Sequence, residues 1–213
     1  MEYVRGLPIG YNWSKRPEAE REELLKQLKG FFEELRKIPH SQPGAICTPN
    51  TKGIGPLTDQ RFYSNNRQFG PFANEADFND FLQWGLDQAD AVEEITRRFG
   101  KETVPELEKM VAIQRQEENH RICFTHGDAG SGKFLVKGDK TVSLVDFETS
   151  GFYPEHWEYT TAMITARDRD VFEDSSWELE IGKFLDEYPK ELEGETIRQN
   201  YYRNTNAVQA IRG

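Results

Sequence analysis

The sequence contains few cysteines and no long hydrophobic run. Cys47 and Cys123 are its two cysteines, and their separation matches neither a disulfide-rich fold nor a zinc-binding motif. We therefore expect free thiols in a reducing compartment. The sequence has neither an 18-residue apolar stretch nor a basic-then-apolar segment at its start, which argues against a membrane partner. The expected location is the cytoplasm.

Positive charge is also scarce. The 213 residues include 27 Lys and Arg against 37 Asp and Glu, which gives a net charge of −10 at pH 7. Because nucleic-acid binding normally requires a basic face, this balance argues against a broad nucleic-acid footprint. Bulky residues are plentiful in contrast, since 14 Phe, 8 Tyr and 4 Trp provide core material and argue against disorder. The length suits a single domain over residues 1–213.

The spacing of apolar residues predicts a mainly α-helical protein. From Leu24 to Ile38 they recur at intervals of three and four, with Phe31 on the same face, so a helix is predicted over 17–38. Further helices are predicted after Asn74, over 90–98, from Pro105 to Gln116, after Pro154, over 177–188 and over 197–211.

A long loop is predicted over residues 39–72, because Gly and Pro recur throughout this segment. Loops of this length in a compact domain are usually functional. Arg61, Phe62, Tyr63 and Arg67 lie inside it. Two interpretations stay open: these side chains contact a substrate, or the aromatic residues pack down onto the core.

A small β centre is predicted in the middle of the sequence. Residues 134–136 (FLV) and Thr141 flank a Gly-Asp turn, which is typical of a β-hairpin. An apolar run before the hairpin leads to Asp128, and its second strand leads to Asp146. We therefore predict that the two carboxylates share one pocket. There they suit a metal–phosphate site, or a base beside a second anion.

Residues 127–133 (GDAGSGK) match the spacing of a phosphate-binding P-loop. Two features argue against that function. The next position, which needs a Ser or Thr for magnesium, is Phe134, and residues 134–136 predict a strand where a P-loop opens a helix. The glycines still permit a close approach of the backbone to a ligand, and their N–H groups suit an anion.

Three segments resemble the catalytic region of the aminoglycoside phosphotransferase / choline kinase-like family, in its fungal phosphotransferase-enzyme form: THGD at 125–128, FLV at 134–136 and LVDFE at 144–148. The flanking segments 1–6, 70–75 and 151–159 are similar as well. The resemblance implies an α+β fold, mainly α with a small central β-hairpin, like the C-terminal lobe of a protein kinase. Residues 1–16 then correspond to a hinge-like segment.

The same resemblance implies roles for two residues and draws attention to a third. It implies Asp128 as the catalytic aspartate and Asp146 as a metal ligand. Lys133 stands where the family has a magnesium-binding asparagine. An ammonium cannot ligate magnesium, so Lys133 is expected to pair with Asp128 or Asp146, or to bind an anionic substrate group.

The family's N-terminal lobe, with its phosphate-covering loop and ATP-binding lysine, has no counterpart in the sequence. Most of the rate enhancement in phosphoryl transfer comes from positioning the phosphate, which these missing parts would do. ATP and magnesium therefore stay open as cofactors. The interpretation of the chain as a C-terminal lobe alone is an expectation from the resemblance.

Three functions stay open. The first is ATP-dependent phosphorylation of an aminoglycoside-like or choline-like small molecule, and the second is an inactive pseudokinase that acts as a binding module. The third, which we favour from the sequence, is a transferase with Asp128 as general base and Lys133 as its electrostatic partner. It would use the same scaffold for transfer or condensation chemistry in fungal secondary metabolism, for example as a cyclodipeptide synthase that makes arginine-containing products from aminoacyl-tRNA.

The candidate catalytic residues are Asp128, Lys133 and Asp146, and Asp146 is also the candidate metal ligand. The ring of His126 is expected to brace its turn through backbone hydrogen bonds. The candidates for substrate contacts are His126, Ser131, Glu148, Glu155, His156 and Trp157. The acidic residues among them suit a cationic small molecule. Aminoacyl-tRNA is a partner only in the condensation version, and a homodimer is left open.

Overall fold

Amphipathic helices and short strands follow one another in the computed structural model, which describes residues 4–50, 53–59, 61, 68–83, 86, 89–115, 120–169, 172 and 176–202. The α-helices in these ranges are α1 (Glu18–Leu35), α2 (Glu75–Gln83), α3 (Ala89–Phe99), α4 (Val104–Gln114), α5 (Trp157–Arg169), α6 (Glu178–Ile181) and α7 (Pro189–Tyr202). The strands are β1 (Leu7–Pro8), β2 (Thr48–Asn50), β3 (Gly53–Gly55), β4 (Leu57–Thr58), β5 (Gln68–Phe69), β6 (Ile122–Thr125), β7 (Phe134–Lys137), β8 (Lys140–Leu144) and β9 (Gly151–Pro154).

The first helix is present as predicted, but it buries a different face. Phe31 and Ile38, expected to face inward, are 37% and 40% exposed. The buried residues of the helix are Leu24, Leu25, Leu28 and Phe32. After Leu28, an apolar residue follows both three positions later, at Phe31, and four positions later, at Phe32. The packing of the helix buries Phe32.

The main core lies between α1, the hairpin β7–β8 and helices α5 and α6. Trp13 and Trp177 meet edge to face with ring centroids 5.6 Å apart, and Phe134 lies 5.8 Å from Trp177. The indole N–H of Trp177 donates to the Ala129 carbonyl at 3.0 Å. The core therefore fixes the backbone immediately after Asp128.

The predicted hairpin is present, and it belongs to a three-stranded sheet. β7 pairs antiparallel with both β8 and β1, in the order β1-β7-β8. β6 pairs instead with β9, so the strand before Asp128 lies in a separate sheet. The loop 126–133 connects the two sheets and carries the candidate residues from one to the other.

The segment 39–72 contains more regular structure than the predicted long loop. β2 pairs with β3 and β4 pairs with β5, all antiparallel. The backbone of Cys47 also forms an isolated antiparallel β-bridge with Phe152 of β9. The Gly and Pro residues separate these short strands, because turns between strands use the same residue types. Arg61 is described and buried, whereas Phe62, Tyr63 and Arg67 lie outside the described residues.

The helical half confirms one detail of the sequence prediction and corrects others. Asn74 caps α2, since its Oδ1 accepts the backbone N–H of Asp77 at 2.9 Å. The helix predicted over 177–188 is wrong in its bounds, because α6 ends at a Gly182 cap. α7 begins at Pro189 rather than at 197, and residues 203–213 lie outside the described part. Among the described helices, none is both long and apolar enough to cross a membrane.

Candidate active site

Two aspartates and a lysine line a cavity of about 510 Å³. Lys133 Nζ lies 2.9 Å from Asp128 Oδ2 and also donates a hydrogen bond to Asp146 Oδ2. The side chains of Asp128, Lys133 and Asp146 are 17%, 23% and 40% exposed. The ammonium therefore contacts both carboxylates at once, and a ligand that enters the cavity can reach all three groups.

The backbone of the hairpin holds this trio in place. Val145 N–H donates to the Lys133 carbonyl, and Lys133 N–H donates to the Gly130 carbonyl, each at 3.0 Å. Asp146 then adopts φ 70° and ψ 65°, a left-handed conformation that residues other than glycine seldom occupy. Aspartate adopts this conformation more readily than most residues, and such conformations recur at functional sites, so the geometry of Asp146 is compatible with a functional role.

His126 lies buried beneath the loop that carries Asp128. Its Nε2 is 3.0 Å from the Val145 carbonyl oxygen, and its Nδ1 accepts the backbone N–H of Asp128 at 3.2 Å. This pattern corresponds to a neutral imidazole with its proton on Nε2. The ring thus links the turn after β6 to the turn after β8, through backbone hydrogen bonds of the kind expected from the sequence.

Glu158 of α5 holds the same turn from below. Its carboxylate oxygens accept the backbone N–H groups of His126 at 2.6 Å and Gly127 at 3.0 Å. Burial raises the pKa of Glu158, while the contacts with His126 and Gly127 act in the opposite direction. At Gly127 the φ is +82°, and a Cβ there would lie 2.8 Å from the Thr149 carbonyl oxygen, so the turn requires glycine.

Opposing effects act on the charge of Lys133. Partial burial would lower the pKa of its ammonium, but hydrogen bonds to Asp146 and Asp128 raise the pKa above its usual value. Lys133 is therefore positively charged at neutral pH. With two carboxylates and one ammonium, the trio has a net charge of −1. The ammonium lacks a lone pair and cannot ligate a metal, so it acts as the counter-ion of both aspartates.

A buried ion-pair network forms one wall of the same cavity, which Asp59 and Arg61 both line. Arg61 Nε donates to Asp59 Oδ1 at 2.9 Å, and Arg61 Nη1 donates to Glu195 Oε1 at 3.1 Å. The guanidinium also lies 4.6 Å from the centre of the Trp157 ring. Arg198 Nε donates to the other oxygen of Glu195 at 2.7 Å. Arg61 thus packs against the core and borders the cavity at the same time.

Acid unfolding is expected to depend on Glu195. Burial would raise its pKa, but Arg198 and Arg61 outweigh burial and lower the pKa to about 2. A carboxyl group whose folded pKa is depressed stabilises fully above its unfolded pKa and loses that contribution as the pH falls through its folded pKa. We therefore expect the free energy of unfolding, measured with urea, to decrease as the pH falls from about 4.5 to about 2.

The variant Glu195→Gln tests this assignment, because it cannot titrate. It should be less stable than the wild type at neutral pH and should show a weaker pH dependence in the same interval. Glu193→Gln is the matched control, since Glu193 is about half exposed and pairs with Lys109 at the surface. Equal pH dependence in the wild type and Glu195→Gln would contradict the assignment.

The remaining sequence candidates lie in different places. Ser131 is buried and lines the cavity of about 510 Å³. Glu148 is exposed in the 3-10 helix that follows Asp146. Glu155 forms an ion pair with Arg121. His156 and Trp157 line a second cavity, of about 320 Å³. The fold therefore groups Ser131 with Asp128, Lys133 and Asp146 and places these other four outside that cavity's lining.

The fold and this site define a kinase-like α+β protein, and solved structures with a similar fold are aminoglycoside phosphotransferases. A thermostable mutant of APH(4)-Ia, in a ternary complex with ADP and hygromycin B, matches with a TM-score of 0.54 and 14% identity over 94% of this chain and 61% of that one. APH(2'')-Ib with bound ADP matches with a TM-score of 0.57 and 13% identity over 100% and 68% of the two chains. The streptomycin–ATP complex of APH(2'')-IIa matches with a TM-score of 0.56 and 13% identity over 99% and 67%.

The chain belongs to the phosphotransferase enzyme family, whose model matches residues 1–192. This match confirms the family resemblance and, with the fold, the expected class of a mainly helical protein around a small hairpin. A comparison with curated proteins found no match. The chain spans about three fifths of the length of APH(4)-Ia.

Proposed function

We propose that the chain takes part in the ATP-dependent phosphorylation of a small molecule, with Asp128 as the general base. The observation that supports this best is the meeting of Asp128, Lys133 and Asp146 at one cavity, on turns fixed by buried hydrogen bonds. Membership of the phosphotransferase family supports the reaction class. Phosphoryl transfer depends mostly on positioning and electrostatic stabilisation, which a rigid turn provides.

Asp128 suits the role of base because its carboxylate is held in position yet remains accessible. Lys133 contacts Oδ2, so we assign Oδ1 to the proton of the acceptor hydroxyl. The acceptor oxygen gains nucleophilic character as that proton moves to the carboxylate. His126 binds the backbone N–H of the same residue, which fixes the direction in which the side chain leaves the turn.

The side chains of the trio do not fit a magnesium ion between the two aspartates. Magnesium requires near-octahedral oxygen ligands, whereas the ammonium of Lys133 contacts both carboxylates. We therefore assign the neutralising role at this position to Lys133. Its N–H groups would stabilise negative charge on oxygen atoms of a bound phosphate or acceptor.

The acceptor is proposed to be a compound with several amino groups. Three carboxylates line the cavity, from Asp59, Asp128 and Asp146, against the two cations Arg61 and Lys133. The excess of one negative charge favours a cation, and the exposure of Asp146 makes it the first carboxylate that such a ligand meets. Solved neighbours are complexes with hygromycin B, gentamicin and streptomycin, which are consistent with this class of acceptor.

Transfer of labelled phosphate tests the proposal directly. The purified chain is incubated with γ-labelled ATP, magnesium and a panel of acceptors that contains hygromycin B, gentamicin and streptomycin, with neutral sugars as controls. We expect labelled product from amino-bearing acceptors only. Absence of transfer to every acceptor would overturn the proposal. Calorimetric binding of the same acceptors would then support the pseudokinase alternative.

Removal of the Lys133 ammonium is expected to create a better magnesium site. A unit charge at about 4 Å is worth about 4 kcal/mol near a protein surface, so Lys133→Asn should tighten magnesium binding by more than about tenfold. The introduced amide also offers an oxygen ligand. Isothermal titration with magnesium measures the change. Lys140→Asn, at an exposed lysine of the hairpin, is the matched control, and equal affinities of the two variants would contradict the role given to Lys133.

The comparisons do not support the condensation chemistry that the sequence led us to favour. Neither the family match nor the fold neighbours point to aminoacyl-tRNA, to cyclodipeptide synthesis, to secondary metabolism or to a homodimer. They fit the ATP-dependent phosphotransferase, which from the sequence was the alternative. The scaffold itself, a phosphotransferase-family fold, is common to both interpretations.

A further inference from the structure

A compact group of three potential metal ligands lies in the cavity of about 320 Å³. Glu75 is the first residue of α2, His120 precedes β6, and His156 lies between β9 and α5. His120 Nδ1 is 2.7 Å from Glu75 Oε1, and His156 Nε2 is 3.7 Å from the same oxygen. One donor atom from each residue lies within 4.8 Å of the other two.

This group is shielded from solvent but borders the cavity. Glu75 and His156 are only 8% and 9% exposed, and both line the cavity together with His120. The Nδ1 atom of His156 is buried and has no hydrogen-bond partner among the residues that the structure describes. Buried ring nitrogens without a partner are rare, and a water molecule in the cavity would satisfy this one. The other ring nitrogen, Nε2, faces Glu75 and is the one that an ion would bind.

A fourth potential ligand is close by. Glu191 of α7 lines the same cavity, and its Oε1 lies 3.5 Å from His120 Nε2. The carboxylate can therefore either ligate an ion directly or accept the N–H of the imidazole from outside the coordination shell. A carboxylate that accepts the N–H of a metal-bound imidazole is the usual arrangement around histidine ligands.

We propose that Glu75, His120 and His156 bind a zinc ion, with Glu191 or a water molecule as the fourth ligand. Two imidazole nitrogens and a carboxylate oxygen form a frequent zinc donor set, and imidazole favours zinc over magnesium or calcium. Donors around a tetrahedral zinc ion lie about 3.4 Å apart, given metal–ligand distances of about 2.1 Å. The separations of 2.7 Å and 3.7 Å between Glu75 Oε1 and the two imidazole nitrogens lie on either side of this value.

An ordinary ion pair accounts for part of the group only. The hydrogen bond between Glu75 and His120 satisfies those two residues. His156 Nε2 lies 3.7 Å from the same carboxylate oxygen, beyond hydrogen-bond distance, and its ring centroid is 4.5 Å from that of His120. A zinc ion gives each imidazole a role, and the cavity provides its path of entry.

The position of the group in the fold suggests a structural effect. The ion would join the start of α2, the residue that leads into β6 and the residue before α5. β6 continues into the turn with Asp128, and α5 contains Glu158, which holds that turn. The zinc site is separate from the cavity of Asp128, Lys133 and Asp146, so this inference does not depend on the proposed function.

Metal analysis of the purified chain tests the inference. The chain is stripped with a chelator, dialysed against zinc chloride and assayed for bound metal. We expect one zinc ion per chain, and a thermal unfolding midpoint that rises with the zinc concentration because the ion binds the folded state. The variant His156→Gln should bind zinc at least about tenfold more weakly and should lose the rise in midpoint.

The matched control is His40→Gln, because His40 stacks on Phe152 away from the cluster. It should bind zinc as the wild type does. The inference is overturned if the wild type retains no zinc, if His156→Gln binds zinc normally, or if His40→Gln loses zinc equally. Should His156→Gln fail to fold, X-ray absorption of the zinc-loaded wild type decides. Two imidazoles with oxygen ligands support the site, and a sulfur ligand from Cys47 or Cys123 excludes it.

Discussion

The substitution Asp128→Asn is expected to lower the rate of phosphoryl transfer by about 10²- to 10⁴-fold, because an amide cannot accept the proton of the acceptor hydroxyl. The change preserves the shape of the side chain, and the amide oxygen can still accept a hydrogen bond from Lys133. The hydrogen bond between His126 and Asp128 uses the backbone N–H and is untouched. We therefore expect kcat to fall while KM for the acceptor and the unfolding midpoint change little.

Steady-state kinetics on the purified variant measures this effect, and Asp139→Asn is the control. Asp139 lies exposed in the turn of the hairpin and undergoes the same chemical change outside the cavity. Its kcat should match that of the wild type. A kcat of Asp128→Asn within about tenfold of the wild type would remove Asp128 from the role of general base. A parallel fall in both variants would indicate damage to the hairpin instead.

The largest effect on stability is expected from Arg61→Met. Arg61 stands between two buried carboxylates, those of Asp59 and Glu195, and the burial of this network makes it costly to break. Removing one partner of a buried pair leaves an uncompensated charge and costs about 3–5 kcal/mol. Methionine fills most of the volume and retains contact with the Trp157 ring, so the loss reports on charge more than on packing.

Urea unfolding measures the loss, and a double variant separates its causes. In Arg61→Met with Asp59→Asn the orphaned charge is removed, so part of the stability should return. Arg121→Met is the control, because Arg121 is 62% exposed and its ion pair with Glu155 is worth at most about 1 kcal/mol. A loss below about 1 kcal/mol for Arg61→Met would show that the network does not stabilise the fold.

The site residues that sequence patterns predict are those on the hairpin. A Gly-Asp turn between β-rich runs has one common structure, so the hairpin and the approach of Asp128 to Asp146 follow from local chemistry. The sequence left three possible partners for the Lys133 ammonium: Asp128, Asp146 or a ligand. The structure shows contacts with both aspartates.

Residues that reach the site from distant segments have no local sequence signal. Glu158 lies 31 residues after Gly127, and Glu195 lies 134 residues after Arg61, yet each pair is joined by a hydrogen bond. A single glutamate in a helix is most often exposed, so residue type alone predicts an exposed position for Glu158 and Glu195, whereas both are buried. Their positions follow from how α5 and α7 pack against the sheets.

Short elements were the other source of error. The strands within 39–72 have only two or three residues each, too few for a period of two to be detected. They form antiparallel pairs with one another, and Cys47, just before β2, forms an isolated bridge to Phe152 of β9, about a hundred residues away in sequence. Helix bounds near Gly182 and Pro189 depended on the same non-local packing.

The Lys133 bridge also has a kinetic consequence. Lys133 is a competitor for cations that is tethered inside the cavity, and a short tether corresponds to a millimolar effective concentration. In the proposed function, an acceptor with a single amino group would have to displace this ammonium and would gain no additional contact in return. A ligand with two or more amino groups can exchange with it stepwise, one carboxylate at a time. For the amino-bearing acceptors proposed above, this built-in competitor would act as a filter that favours polyvalent cations, with slower exchange than an open acidic pocket would show.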